Sequence, residues 1–352
     1  MMRRLAVVLA GAVLVGALFA ASTRAEEPVS ARAMHAHALE ADAAAPFHAT
    51  RLAREATTFR GGPIVASTGE TVDVRVSDAL PAETATPEGW AEFFAGLIHG
   101  SELSQLTTYV ATFDEVQDVC GSQALGCYAR NQLVVPGETA FDTSPEEVAR
   151  HEYGHHIAYH RSNSPWDAID WGPKRWASAA NVCARVTRKE AYPGDEGSNY
   201  ARNPGEAWAE VYRLTDERKA GITTATWPII APSFYPNTPA LDAAELDVVQ
   251  PWTAPRTTSF TRVFGKKTAK VWWIPLSTPL DGDVRISAAV PGRGTVDVAL
   301  VASNRRTIVR RAQWVSQRVK RLEGSICGQR SLFVRVTETG LQGRIRVSVT
   351  TA

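Results

Sequence analysis

Ser144-Pro145-Glu146-Glu147-Val148-Ala149-Arg150-His151-Glu152-Tyr153-Gly154-His155-His156 decides how this chain is read. Ser144 suits a helix N-cap, Pro145 the first helical position, and Glu147 stands where a capping box puts its glutamate. A helix opening there carries His151 and His155, four residues apart, on one face and one turn from each other. Two imidazoles at that spacing can grip one metal ion. Glu152 beside them is placed to take a proton from water that the metal activates. H-E-x-x-H alone recurs by chance, whereas on a capped helix it points to a metal centre. Arg150 and His156 flank the motif and are expected to face away from it.

A catalytic zinc needs a third protein ligand and an open fourth position. The pattern H-E-x-x-H-x-x-G-x-x-H fails here: Ala158 replaces its glycine, Arg161 stands at the histidine position, and His160 is one residue short. Asn203-Pro204-Gly205-Glu206-Ala207-Trp208-Ala209-Glu210 offers the other solution. Asn203 is a plausible N-cap, and Glu206 and Glu210 then share a helix face. Glu206 could complete the ligand set. Glu210 could hydrogen-bond the outer ring nitrogen of a ligand histidine and fix its tautomer. The bland alternatives are a capping-box role for Glu206 and a solvated helix face for Glu210. Asp195 and Glu196 are rival ligands, but Pro193-Gly194-Asp195-Glu196-Gly197 has turn character.

In these two segments the chain resembles the gluzincin metallopeptidases, the thermolysin-like clan, from Ser144 to about Tyr212. That clan pairs H-E-x-x-H with a glutamate on a later helix and a further acid one turn on. The gap from His155 to Glu206 is longer than in thermolysin, and the second motif reads N-P-G-E-A-W-A-E. The resemblance implies an α+β zincin-like catalytic domain and one catalytic Zn²⁺ held by His151, His155 and Glu206. It also implies Glu152 as general base and a peptide or protein substrate. Tyr200, just before the Glu206 helix, is the candidate donor to the oxyanion, in competition with Tyr192, His160 and Tyr212.

The 352 residues suggest two domains after processing. Residues 1–25 read as a secretory signal peptide: Arg3 and Arg4, an apolar run from Leu5 to Ala21, and small residues at Thr23-Arg24-Ala25. Residues 26–60 are expected to be an N-terminal arm or short propeptide, with His35, His37 and His48 at its surface. Residues 61–250 form the expected zincin-like domain and 256–352 a C-terminal all-β, sandwich-like domain. A secreted chain with four cysteines favours disulfides. Cys120 with Cys127 and Cys183 with Cys327 is one of three possible pairings, and spacing does not choose among them. Zinc binding by cysteine is disfavoured without C-x-x-C.

The net charge of +1 conceals an asymmetry. Residues 256–352 hold 18 Lys and Arg against 5 Asp and Glu, a net of +13, so the remainder carries −12. Opposite charge favours docking of the two parts. The basic part could also hold an anionic cell-wall polymer. Export argues against nucleic acid as a partner, and no membrane association is expected once the signal peptide is removed.

Along the chain, Thr71–Ser77 alternates as a half-buried strand. Thr86-Pro87-Glu88 opens a helix through Ile98, and Thr107–Phe113 reads as a strand. Gln132–Val135 reads as another strand and is the candidate edge strand for pairing with an extended substrate. A helix is expected from about Lys174 to Arg185. Trp166, Trp171 and Trp176 around it read as core packing, with an apolar substrate pocket as the sharper alternative. Six short strands come after these: Val271–Ile274, Val284–Ser287, Val296–Leu300, Ile308–Arg310, Leu332–Val336 and Ile345–Val349. Every candidate catalytic residue lies before them. The expectation is therefore a secreted zinc endopeptidase. A non-catalytic wall-binding or adhesion protein on the same scaffold and a zinc amidase of cell-wall cross-links are its alternatives.

Overall fold

The computed structural model describes residues 58–290, 294–341 and 343–352. The expected signal peptide and most of the arm, with His35, His37 and His48, lie outside the described residues. The described residues hold two large, separate buried cores, one formed by residues from Ala66 to Val248 and the other by residues from Phe264 to Val349.

The first part is built on a five-stranded sheet in the order β1-β2-β3-β5-β4: β1 Phe59–Val65, β2 Thr71–Ser77, β3 Thr107–Ala111, β4 Cys127–Ala129 and β5 Gln132–Pro136. β2, β3 and β5 run parallel, while β1 and β4 are antiparallel to their neighbours. This corrects the placing of Gln132–Val135 at the edge. β5 is paired on both sides, and the edge belongs to the three-residue β4. Arg130 and Asn131, both at positive φ, make the two-residue turn that folds β4 onto β5.

Helix α1 (Pro87–Ala95) is capped by Thr86 and stops short of Ile98. The stretch after β3 turns at Thr112 into helix α2 (Phe113–Cys120), closed by a capping box between Thr112 and Glu115. Helix α3 (Pro145–Tyr159) has the capping box expected at its start. Ser144 Oγ accepts from Glu147 N at 3.2 Å, and Glu147 Oε2 accepts from Ser144 N at 3.0 Å. The segment from Lys174 is two short helices rather than one. After α4 (Ala168–Trp171), α5 (Lys174–Ala179) and α6 (Val182–Thr187) are separated by Asn181 at φ 54°. That left-handed residue cannot continue a right-handed helix. Helices α7 (Pro204–Ala220) and α8 (Thr238–Val249) complete this part.

Among the described residues the C-terminal part is all β, with nine strands where six are legible: β6 Arg256–Phe264, β7 Val271–Ser277, β8 Gly282–Ala289, β9 Thr295–Ala302, β10 Ile308–Arg311, β11 Gln313–Ser316, β12 Val319–Ile326, β13 Ser331–Thr339 and β14 Gly343–Thr351. They form two antiparallel sheets, β10-β9-β13-β7 and β11-β12-β8-β14-β6, whose alternating apolar residues close on one core. The two parts are joined covalently and by polar contacts. Cys183 in α6 is bonded to Cys327, and Cys120 to Cys127. Lys174, fully buried, donates from Nζ to Ser164 O at 2.6 Å and Asp281 O at 3.0 Å. Arg330 donates to Ser178 O at 2.7 Å, and Asp281 N to Ser178 Oγ at 2.9 Å.

Candidate metal centre

Helices α3 and α7 pack side by side, and a glycine decides how closely. A Cβ added to Gly154 would lie 2.8 Å from Ala209 Cα and 3.1 Å from Ala209 O. The two backbones therefore meet where one helix has no side chain and the other only a methyl. Trp208 Nε1 donates to Gly154 O at 2.7 Å and locks the register. This contact brings His151 and His155 from α3 against Glu206 from α7.

One potential ligand atom from each of His151, His155 and Glu206 lies within 4.8 Å of the others, and the three residues are 0–1% exposed. His151 Nε2 is 3.4 Å from Glu206 Oε2, and His155 Nε2 is 3.6 Å from Glu206 Oε1. Two imidazoles and a carboxylate converging at this separation fit a divalent transition-metal ion. The cluster could hold one. The helix cap is served by other groups than Glu206: Asn203 Oδ1 accepts from Gly205 N at 3.0 Å, and Asn203 N donates to Tyr200 O at 2.9 Å. The rivals are occupied in their turn. Asp195 accepts from Gly197 N and Asn199, and Glu196 from Asn203 Nδ2 at 2.8 Å.

Glu210 Oε2 lies 3.8 Å from His151 Nδ1, within ion-pair range and longer than a direct hydrogen bond. Burial alone would push the His151 pKa down, but Glu206 and Glu210 outweigh it and raise it to about 9. Burial works against the charge of Glu210 too, yet Arg213 and His151 hold its carboxyl below the ordinary range.

Tyr200 Oη donates to Glu206 Oε2 at 2.7 Å. Burial, then the charge of Glu206, push its phenol well above the usual tyrosine value. In this arrangement its one proton steadies the carboxylate, and the expected role toward an oxyanion requires the hydroxyl to leave Glu206. Its competitors bond elsewhere: Tyr192 to Lys189 O, Tyr212 to Ile98 O, and His160 to Asn131. His156 points away from the cluster, between Tyr128 Oη at 3.1 Å and Glu102 O at 2.9 Å, and burial takes it down to about 4. Arg150 also turns away and pairs with Asp216 at 2.8 Å.

Glu152 is buried beside the cluster, under the loop closed by Cys120 and Cys127. A Cβ added to Gly126 would sit 3.0 Å from Glu152 Cγ and 3.1 Å from Oε1, so that loop approaches the carboxylate as closely as bare backbone can. The ring of Trp227 lies 5.4 Å from that of His151, tilted by 32°. Gly126, Trp227 and Arg213 were not singled out from the sequence. For Arg213 a signal existed: Glu210, Arg213 and Glu217 follow the i, i+3, i+7 spacing of one helix face. Trp166 stacks on Trp171 at 4.8 Å, and Trp176 is buried against Trp208.

No protein-family model matches the chain, and no curated protein does. Among solved structures it is similar to the pre-peptidase C-terminal domain of a collagenase from Bacillus anthracis. The identity is 11% and the TM-score 0.22, over 27% of this chain and 89% of that one.

Proposed function

We propose that this chain is a secreted, zinc-dependent endopeptidase. The observation that carries the reading is the buried meeting of His151, His155 and Glu206, with Glu152, also buried, next to His151 on the histidine helix. His151, His155 and Glu206 would hold the ion. Zinc, when bound, supplies a Lewis acid that polarises a carbonyl and lowers the pKa of water to about 7. Glu152 accepts the proton of the attacking water on a carboxylate oxygen and passes it to the leaving amine. Glu210 fixes the orientation of His151, and Tyr200 that of Glu206. β4, as the edge strand, is the backbone against which an extended peptide would pair. The Gly126 loop packs on the base, and Trp227 packs on His151.

Two disulfides fit an oxidising compartment, and no helix among the described residues is long and apolar enough to cross a membrane. The C-terminal part presents exposed Arg305, Arg306, Arg310, Arg311 and Arg318, which suit an anionic wall polymer as a partner. The test is metal analysis and a casein or gelatin assay on the mature protein and on Glu152→Gln. About one zinc per chain in both, with turnover only in the first, is expected. Protein without zinc, or equal turnover in the two, refutes the reading.

A further inference from the structure

Arg213 is a cation with no access to water, and its partners form a chain that ends at the metal cluster. Its Nε donates to Glu210 Oε2 at 2.8 Å and its Nη2 to Glu210 Oε1 at 2.7 Å, a two-pronged grip. The same Nη2 reaches Ala225 O at 2.8 Å. Nη1 serves Thr224 Oγ1 at 2.7 Å and both oxygens of Glu217 at 2.8 and 2.9 Å. Glu210 Oε1 also accepts from Trp227 N at 2.7 Å. The Trp227 ring lies against both the guanidinium, 4.4 Å from its centroid, and the His151 ring. One side chain thus sets two things that touch His151: the carboxylate facing its Nδ1 and the indole lying along its ring.

Burying a charge network of this kind costs about as much as its attraction returns, so stability alone is a weak reason for it. Geometry is a better one, because a planar guanidinium fixes the plane of a carboxylate and a lysine ammonium cannot. We propose that Arg213 is a positioning residue of the metal site, holding Glu210 and the 224–227 segment in register with His151. This rests on the metal-binding reading above.

The experiment uses the full mature chain, stripped of metal and refilled with Zn²⁺ or Co²⁺. Affinity is read by competition with a chromophoric chelator, coordination by the visible Co²⁺ spectrum, and folding by melting of the metal-free protein. Arg213→Lys is expected to weaken zinc binding by about 10–100-fold, as loss of an outer partner of a ligand histidine does, and to shift the Co²⁺ bands. In a Glu210→Gln background the same change is expected to add less than twofold, since Arg213 acts through Glu210. Thr224→Val, which removes a hydroxyl bonded to both Arg213 and Glu217 but leaves the grip on Glu210 and the bond to Ala225 O, is expected to lower the melting temperature and leave the Co²⁺ spectrum in place. If Arg213→Lys does not fold, Arg213→Gln with Glu217→Gln, which removes opposite charges together, takes its place under the same criteria. A folded variant with wild-type zinc affinity and an unchanged Co²⁺ spectrum overturns the proposal. Wild-type protein that takes up neither ion overturns the metal reading beneath it.

Discussion

Replacing Gly154 by alanine tests whether the contact between α3 and α7 builds the metal centre. In an isolated helix the change is favourable by about 1 kcal/mol, because glycine loses more freedom on folding than alanine. Here the new methyl would stand 2.8 Å from Ala209 Cα, against 3.4 Å for ordinary contact, so the helices must part by about 0.6 Å. The obstruction is backbone, with Tyr212 Cβ also at 3.2 Å, so no side-chain rotation relieves it. Overpacking of this sort costs about 1–3 kcal/mol, leaving a net loss of about 0–2 kcal/mol after the helix gain. For a chain of this size that is a fall in melting temperature of several degrees at most. The effect on metal should be larger. Glu206 rides on the displaced helix, and ligand distances tolerate only about 0.2 Å, so zinc affinity is expected to fall at least tenfold. Chelator competition and melting of the metal-free protein read the two effects separately. A more stable variant with unaltered zinc affinity would refute the claim that this close approach sets the site.

Acidification should expose His156. Its buried, depressed pKa near 4 contributes stability that is complete above the ordinary histidine value and is lost as pH falls toward 4. The loss is about 3 kcal/mol, and it should be reduced in His156→Gln. Asp247 acts in the opposite sense. Burial lifts its carboxyl to about 7, so its contribution fades as pH rises from about 4 toward that value, and only the difference between wild type and variant isolates His156. Identical pH dependence of the two denaturation curves would contradict this assignment. At the seam between the two parts, Lys174→Met would leave the carbonyls of Ser164 and Asp281 without their donor. A loss of about 1–3 kcal/mol is expected in chemical denaturation, and an unchanged midpoint would show that water replaces the ammonium there.

The features legible in the sequence are local ones. The capping box at Ser144 and the cap at Asn203 act within one turn, so both helices, the face shared by His151 and His155 and the face shared by Glu206 and Glu210 follow from spacing alone. The alternation of Thr71–Ser77 reports burial on one face of a sheet, again a local signal. β4 left no such trace. Three residues carry no period, and what makes them a strand is the partner β5 and the bond from Cys120 to Cys127. The break at Asn181 depends on one backbone angle that many asparagines do not adopt. Trp227 reaches His151 through the fold of the segment after α7, and Tyr200 finds Glu206 by a turn that brings its hydroxyl back across the helix start.

The bond between Cys183 and Cys327 closes a covalent ring, its two cysteines 144 positions apart in sequence. A single cut anywhere inside that ring opens the loop without parting the molecule, because both new ends remain tied through sulfur. The exposed segments at Gly221–Thr223 and Lys266–Thr268 fall within it. A chain nicked there would run as one species until reduced, with the helix that carries Glu206 still attached to everything before it. Damage at those segments would be survivable by construction.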